Sequence, residues 1–189
     1  MDHDDDSTAV AAAQRGNRAA FEQLVRRHQR RALAVALGIL HNHEDARDAC
    51  QDAFVRAFRA LDRFDGDAQF STWLHRIVVN ICIDHLRRRA SIGTVSLDDV
   101  GGVLAGNDDP ARSAEGVEMG GRIGAALGKL SANHRTVLVL REVEGLSYLE
   151  IAAAMRCSVG TVMSRLFHAR KRMQAMLRSD DEAALASAA

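Results

Sequence analysis

Two helix-start signals lie within residues 141–173 of this chain, with room between them for one short helix and a tight turn. Ser147 is followed three residues later by Glu150, the spacing at which each side chain can satisfy a free backbone donor of the first helical turn. Ser158 is a second good N-cap, and the apolar residues after it recur with helical spacing. A short helix, a tight turn and a longer helix are therefore expected. The stretch predicts a helix-turn-helix.

The polar face of the second helix has a pattern that suits DNA. Small and hydroxylic residues lie near its N-terminus and cations follow, as in a helix that enters the major groove tip first and contacts phosphates with its sides. No acidic residue occurs from Ile151 to Ser179, and each phosphate contact would strengthen binding through counterion release. The alternative is a helical hairpin with a solvated basic face, but the paired caps and unopposed cations favour DNA binding. The polar-face residues are Gly160, Thr161, Ser164, Arg165, His168, Arg170, Lys171 and Arg172.

Composition extends the helical prediction to the whole chain of 189 residues. Ala, Leu and Arg abound, Pro occurs once and aromatic residues make up 4%, while a hydrophobic share of 47% can supply a core. The 25 basic and 25 acidic side chains cancel, yet the acids are clustered, which leaves basic patches elsewhere. The fold class is thus predicted to be all-α.

The three cysteines and the N-terminus indicate the cellular compartment of the chain. Cys50, Cys82 and Cys157 are odd in number and lie in helical patterns, so they indicate neither a disulfide framework nor a zinc site. The N-terminus is acidic and no apolar run is long enough for a membrane span, so neither a signal peptide nor membrane insertion is predicted. We expect a cytoplasmic protein.

Helical patterns fill the N-terminal half. Residues 1–9 are expected to be disordered, and the helix that follows should break once at Gly16 and Asn17. A helix over residues 44–61 has an apolar stripe that includes Phe54 and Phe58. A further helix, capped by Ser71, runs through the sequence TWLHRIVVNICIDHLRRR.

A composition change separates these helices from the helix-turn-helix. Residues 90–121 are rich in Gly and acidic side chains, which predicts a flexible acidic linker between two small helical domains, at residues 1–89 and 122–178. Residues 179–189 are expected to form a disordered tail.

Two modules of this kind closely resemble the extracytoplasmic-function (ECF) sigma factors of bacterial RNA polymerase. The resemblance rests on an acidic-faced helix followed by FSTWLHRIVVN and, past the linker, on LSYLEIAAAMRCSVGTVMSRLFHARKRM, and it covers about residues 14–89 and 122–177. It implies an N-terminal region 2 that binds core RNA polymerase and opens the minus-10 element, and a C-terminal region 4 that reads the minus-35 element. The implied partners are core RNA polymerase, promoter DNA (single-stranded at minus-10, duplex at minus-35) and an anti-sigma factor.

The resemblance also assigns residues. Those expected to bind core polymerase are Asp45, Asp48, Gln51, Asp52, Phe54 and Arg56. Those expected at minus-10 DNA are Asp65, Gly66, Asp67, Phe70, Ser71, Trp73, Arg76, Asn80, Arg87 and Arg88. Those expected at minus-35 DNA are Ser158, Gly160, Thr161, Ser164, Arg165, Phe167, His168, Arg170 and Lys171. Met163 and His168 stand where many relatives carry basic residues, which should weaken phosphate or guanine contacts.

Other readings fit the sequence less well. His41, Asn42 and His43 spell a nuclease motif, but its flanking strands and downstream histidine are missing. The acidic stripe of residues 44–52 suits a partner surface better than a cation, whose ligands should converge from several directions. No catalytic residue, metal or cofactor is predicted, so the chain is expected not to be an enzyme. The alternative function is an autonomous helix-turn-helix regulator, which would leave the acidic helix and the FSTWL block without a role.

Overall fold

The computed structural model describes the backbone of residues 3–91 and 114–187, and the side chains of residues 6–89 and 120–179. The chain divides into two compact units, Met1–His85 and Leu86–Ala189. Every regular element in the described ranges is helical, which confirms the all-α prediction. The central part of the predicted linker, residues 92–113, lies outside the described residues.

The first unit is built from helices that begin at polar caps. The side chain of Asn17 accepts a hydrogen bond from the backbone N–H of Ala20 at 3.2 Å, and that of Asn42 accepts one from Asp45 at 3.0 Å. Gly16, at φ +90°, makes the break predicted between the first two helices. The elements are α1 (His3–Gln14), α2 (Arg18–Leu40), α3 (His43–Ala60), a 3-10 turn (Leu61–Arg63) and α4 (Phe70–Ser91).

Small residues on α3 shape the core of this unit. The buried face of α3 consists of Ala46, Ala49, Cys50, Ala53 and Ala57, which lets its backbone approach α2 closely. Phe58, predicted to lie in the core stripe, is instead 46% exposed, because it falls at the edge of this alanine face. Its ring meets that of Phe21 edge to face, with centroids 5.0 Å apart.

Helix α1 overturns the expectation that residues 1–9 are disordered, as far as the described residues go. Ala9 and Val10 are buried in the shared core, and the backbone is helical from His3. Asp6 is 9% exposed: Arg27 donates a hydrogen bond to it at 2.6 Å, and Nε2 of His28 lies 2.8 Å from its second oxygen. The acidic run suggested a solvated end, whereas one of its carboxylates has partners on α2.

The second unit contains α5 (Ala114–Gly128), α6 (Ala132–Leu138), a π-helical turn (Val139–Val143), α7 (Tyr148–Met155) and α8 (Val159–Ser187). Two expected boundaries are wrong. The linker was expected to reach residue 121, but α5 begins at Ala114, because packing against α8 outweighs the poor helix propensity of its glycines. The tail was expected to be disordered, but α8 continues to Ser187 through Ala, Leu and Glu without Pro or Gly.

Helices α5, α6 and α7 pack against α8 around a leucine-rich core. Leu130, Leu140 and Ile151 are fully buried there, each contributing about 1.5–3 kcal/mol of hydrophobic stabilisation. Arg135 is also fully buried and donates to the carbonyl of Leu130 at 3.3 Å, two residues past the end of α5. Burial lowers the pKa of Arg135 to about 10, so it stays charged at neutral pH.

The buried cysteines should be chemically inert. Burial raises the pKa of Cys50 from 9.0 to about 11 and that of Cys82 to about 12, so at pH 8 the thiolate fraction of Cys50 falls by about 100-fold. We expect iodoacetamide to modify the half-buried Cys157 first, with Cys50 and Cys82 reacting only on unfolding; mass spectrometry of the peptides measures each rate. Equal rates for all three in the folded protein would contradict this expectation.

Candidate nucleic-acid and polymerase interfaces

The structure confirms the helix-turn-helix and both of its caps. The hydroxyl of Ser147 accepts from the Glu150 N–H at 3.3 Å, while the Ser147 N–H donates to the Glu150 carboxylate at 2.9 Å, which completes the capping box. Arg156, in the left-handed region at φ 50°, ends α7. The Ser158 hydroxyl then accepts from the Thr161 N–H at 3.0 Å and starts α8.

One side of α8 is buried and the other is presented to solvent. Val162, Leu166 and Ala169 are at most 1% exposed, so they fix the rotation of the helix about its axis. Two apolar side chains stay on the outer side, Met163 at 53% and Phe167 at 63% exposure, and such groups can contact the thymine methyl in a major groove. Of the predicted minus-35 residues, Thr161 and Arg165 are half-buried, and the exposed ones are Ser158, Gly160, Ser164, Phe167, His168, Arg170 and Lys171.

Several of these predicted residues already have partners within the unit, among them Ser158 and Arg170. The hydroxyl of Ser158 caps α8, as described above. Arg170 donates to a single oxygen of Glu142, from Nη2 at 2.5 Å and from Nε at 3.1 Å, and this hydrogen bonding raises the pKa of Arg170. Both side chains are about half exposed, so the pair stabilises the fold only modestly. It ties α8 to the π-helical turn.

The π-helical turn positions the start of α7 and was not predicted. Arg141, in this turn, donates to the carbonyl of Leu146 at 2.9 Å, and its guanidinium lies 5.0 Å from the centre of the Tyr148 ring. Gly145, in the left-handed region at φ +66°, reverses the chain between them. The sequence gives a signal for the glycine but none for the extra residue in the turn.

Of the predicted minus-10 residues, those from Asp65 to Trp73 lie where the 3-10 turn leads into α4, whereas Arg87 and Arg88 lie near the opposite end of that helix. Residues 65–67 form an exposed loop: Asp65 accepts from the Asp67 N–H at 3.1 Å, and Gly66 between them has φ +85°. On α4, Ser71 and Trp73 are half-buried, and Arg76 and Asn80 are exposed. Arg87 is half-buried and Arg88 is exposed, both near the end of α4. We name residues 65–69 the minus-10 loop.

Aromatic side chains from the two ends of this loop pack against one another. The ring of Trp73 lies 5.0 Å from that of Phe64 and 5.8 Å from that of Phe70, in tilted contacts. Phe70 is only 3% exposed and belongs to the core cluster. The expectation that Phe70 touches DNA is therefore corrected: this residue is buried in the core, directly after the loop.

Sequence reasoning missed Gln14, the last residue of α1. Its side-chain Nε2 donates to the carbonyls of Leu61 at 3.0 Å and Phe64 at 2.8 Å, just before the minus-10 loop. No sequence signal could have identified this contact, since its acceptors are backbone atoms 47 and 50 residues away.

The outer face of α3 combines acidic side chains with an apolar edge. Asp48, Gln51, Asp52 and Arg56 are exposed, while Phe54 is half-buried. Asp45 is only 26% exposed at its side chain, because its Oδ2 lies 3.4 Å from Nε2 of His85 on α4.

Beside this face, an open groove of about 880 Å³ lies between α2 and α3, lined by apolar side chains that include Val25, Val55 and Phe58. The charged residues that line the groove are Arg30, Arg47 and Arg59, and an apolar centre with a charged rim suits a protein interface.

The described residues contain neither a metal site nor a membrane-spanning helix. No group of three or more His, Cys, Asp and Glu side chains there is placed to hold a metal ion. Among the same residues, no helix is both long and apolar enough to span a bilayer.

The folds and surfaces of the two units define a two-module helical DNA-binding protein, and comparison with known proteins gives its family. The family model for Sigma-70 region 2 matches residues 24–92, and that for Sigma-70, region 4 matches residues 120–173. The RNA polymerase sigma-H factor of Pseudomonas aeruginosa is 37% identical over 190 residues, covering 94% of this chain and 98% of its own. The ECF RNA polymerase sigma-E factor of Escherichia coli (strain K12) is 37% identical, covering 88% of this chain and 91% of its own.

Solved structures agree. CnrH in complex with the cytosolic domain of CnrY matches with a TM-score of 0.57 and 34% identity, covering 93% of this chain and 99% of CnrH. The sigma factor RpoE of Bartonella quintana, in complex with the anti-sigma factor NepR, matches with a TM-score of 0.60 and 26% identity, covering 85% of this chain and 98% of RpoE. The chain belongs to the ECF group of the sigma-70 family, and it is an RNA polymerase sigma factor that directs promoter-specific transcription initiation.

Ser147 and Ser164, two of the three serines in the helix-turn-helix region, should differ in what they contribute to stability. Ser147→Ala removes the hydroxyl that caps α7 and should cost about 1 kcal/mol. Ser164→Ala, at an exposed position of α8, should change stability by less than about 0.5 kcal/mol. Hydrogen exchange of peptides from α7 and α8 measures both, and a larger loss for Ser164→Ala than for Ser147→Ala would contradict the assignment.

Proposed function

We propose that three surfaces of this sigma factor divide the work of initiation. The outer face of α3 binds core RNA polymerase, the minus-10 loop with the exposed face of α4 captures the unpaired minus-10 strand, and the outer face of α8 reads the minus-35 duplex. The observation that carries the proposal is the orientation of α8 about its own axis. Val162, Leu166 and Ala169 face the core, and the predicted contact residues lie on the outer side of the helix.

At minus-35, α8 enters the major groove with its capped N-terminus. Thr161, Ser164 and Arg165 lie in its first two turns, where a recognition helix meets base edges. Lys171 lies further along, where phosphates pass the side of the helix. Arg170 supports this surface through its hydrogen bond to Glu142. It becomes a phosphate ligand only if a phosphate replaces the Glu142 carboxylate as its partner.

At minus-10, a base leaves the stack and binds at the exposed loop of residues 65–67, next to the packed rings of Phe64, Phe70 and Trp73. The peptide groups and carboxylates of residues 65–67 offer donors and acceptors to a base edge, and Arg76 and Asn80 lie beside them on α4. Capture needs no catalytic group, since binding energy offsets an unstacking cost of a few kcal/mol. The chain is therefore not an enzyme in this proposal, and the chemistry belongs to the polymerase.

The remaining assignments concern partners and compartment. Acidic residues on α3, with the apolar groove beside them, fit a partner that presents basic and apolar side chains. We extend to this chain the kind of complex described for CnrH and RpoE, in which a separate protein binds the sigma factor. An anti-sigma factor would cover the polymerase-binding or DNA-binding faces, and the complex with polymerase would form in the cytoplasm.

Run-off transcription with core polymerase tests the division of work. Asp52→Lys reverses one charge on α3 and should lower polymerase affinity and transcript yield together, by about tenfold. Asn80→Ala should lower yield on duplex promoters while polymerase affinity stays within about twofold. If the isolated chain binds duplex promoters tightly and never binds polymerase, the proposal fails and an autonomous regulator takes its place.

Salt dependence tests the minus-35 surface. Lys171→Ala should lower the slope of log affinity against log salt by about one, because one phosphate contact is lost. Lys129→Ala removes the same charge from an exposed position outside α8 and should leave the slope unchanged. The measurement is holoenzyme binding to a minus-35 duplex at several salt concentrations, and equal slopes for both variants would count against α8 as the DNA-binding helix.

A further inference from the structure

Gln14 joins the end of α1 to the start of the minus-10 loop. The carbonyls of Leu61 and Phe64 can only accept hydrogen bonds, and the Gln14 amide nitrogen has two hydrogens, one for each carbonyl. The Leu61 carbonyl also accepts from the Phe64 N–H at 3.0 Å, which closes the 3-10 turn. One side chain therefore fixes the point at which the chain enters the loop.

The same helix also acts at the other end of the loop. Asp6 on α1 accepts from Arg27 and lies 2.8 Å from Nε2 of His28, and the His28 ring lies 5.4 Å from the ring of Phe70. Phe70 is the first residue of α4 and directly follows the loop. Helix α1 thus restrains both ends of residues 65–69.

Within the loop itself, restraint is local and weak. Its described internal hydrogen bond joins Asp65 and Asp67, both exposed, around a glycine with positive φ. A loop of this kind loses conformational freedom when it binds a base, and anchoring its ends beforehand reduces that loss. Gln14 supplies such an anchor through its two hydrogen bonds at the start of the loop.

We propose that Gln14 is a positioning residue for minus-10 recognition: it touches no DNA, and it holds the minus-10 loop in the conformation that captures the unpaired base. The inference rests on the proposed function of the loop. It assigns to α1 a role in promoter opening that is separate from its part in the core.

Variants at position 14 can separate the effect of the hydrogen-bond donor from the effect of side-chain shape. Gln14→Glu keeps the shape and places a carboxylate against two carbonyls, which repels them. Gln14→Met removes the donor without adding charge, and Gln14→Lys restores a donor on a chain long enough to reach. Gln23→Glu adds the same charge at an exposed position of α2 and serves as the matched control.

The experiment measures binding of a fluorescent single-stranded minus-10 oligonucleotide to the holoenzyme. We expect about tenfold weaker binding for Gln14→Glu and Gln14→Met, recovery to within about twofold for Gln14→Lys, and no change for Gln23→Glu. Polymerase affinity should be the same for all. Trp73, the single tryptophan, lies against Phe64, so its emission should shift in Gln14→Glu and return in Gln14→Lys.

Asp67→Ala, in the loop itself, distinguishes a failure of the role proposed for Gln14 from a failure of the role proposed for the loop. If Asp67→Ala weakens oligonucleotide binding and the Gln14 variants do not, the role of Gln14 is overturned and that of the loop stands. If Asp67→Ala has no effect, the proposed function of the loop fails, and the positioning role fails with it. Weakening by Gln14→Met that Gln14→Lys does not rescue would also overturn the positioning role.

Discussion

Unpaired backbone groups at helix ends are the constraint on which the described structure depends. Each α-helix leaves N–H groups at its start and carbonyls at its end without partners, and a chain of short helices has many such ends. Side chains of Asn17, Asn42, Ser131, Ser147 and Ser158 accept from the starts of their helices. Three other side chains donate to carbonyls that lie just past the end of a helix or turn: those of Arg135, Arg141 and Gln14.

These end contacts lie beside the proposed functional surfaces. The caps of α7 and α8 set the turn of the helix-turn-helix, and Arg141 fixes the chain that leads into it. Gln14 holds the residues that precede the minus-10 loop. Recognition surfaces at helix ends gain from this arrangement, because a restrained backbone presents its side chains with less loss of freedom on binding.

Core packing decides which side chains remain for partners. The alanine face of α3 allows close approach to α2 and leaves Val55 and Phe58 about half exposed beside the acidic residues of the same helix. Leucines and valines bury one side of α8, so that its hydroxyls and cations lie on the other. A formally neutral chain can thus present an acidic surface to one partner and a basic surface to another, since the charges are segregated by helix face.

Local sequence patterns determined the helices, the break at Gly16, the capping box and the turn between α7 and α8, because these depend on residues within a few positions of one another. The same patterns, with the family resemblance, gathered most candidate site residues on exposed faces. Only tertiary structure placed Phe70 in the core, paired Arg170 with Glu142, ordered α1 against α2 and joined Gln14 to the loop. Those contacts join positions distant in the sequence, and Gln14 bonds backbone carbonyls that every residue carries, so the sequence holds no pattern that marks them.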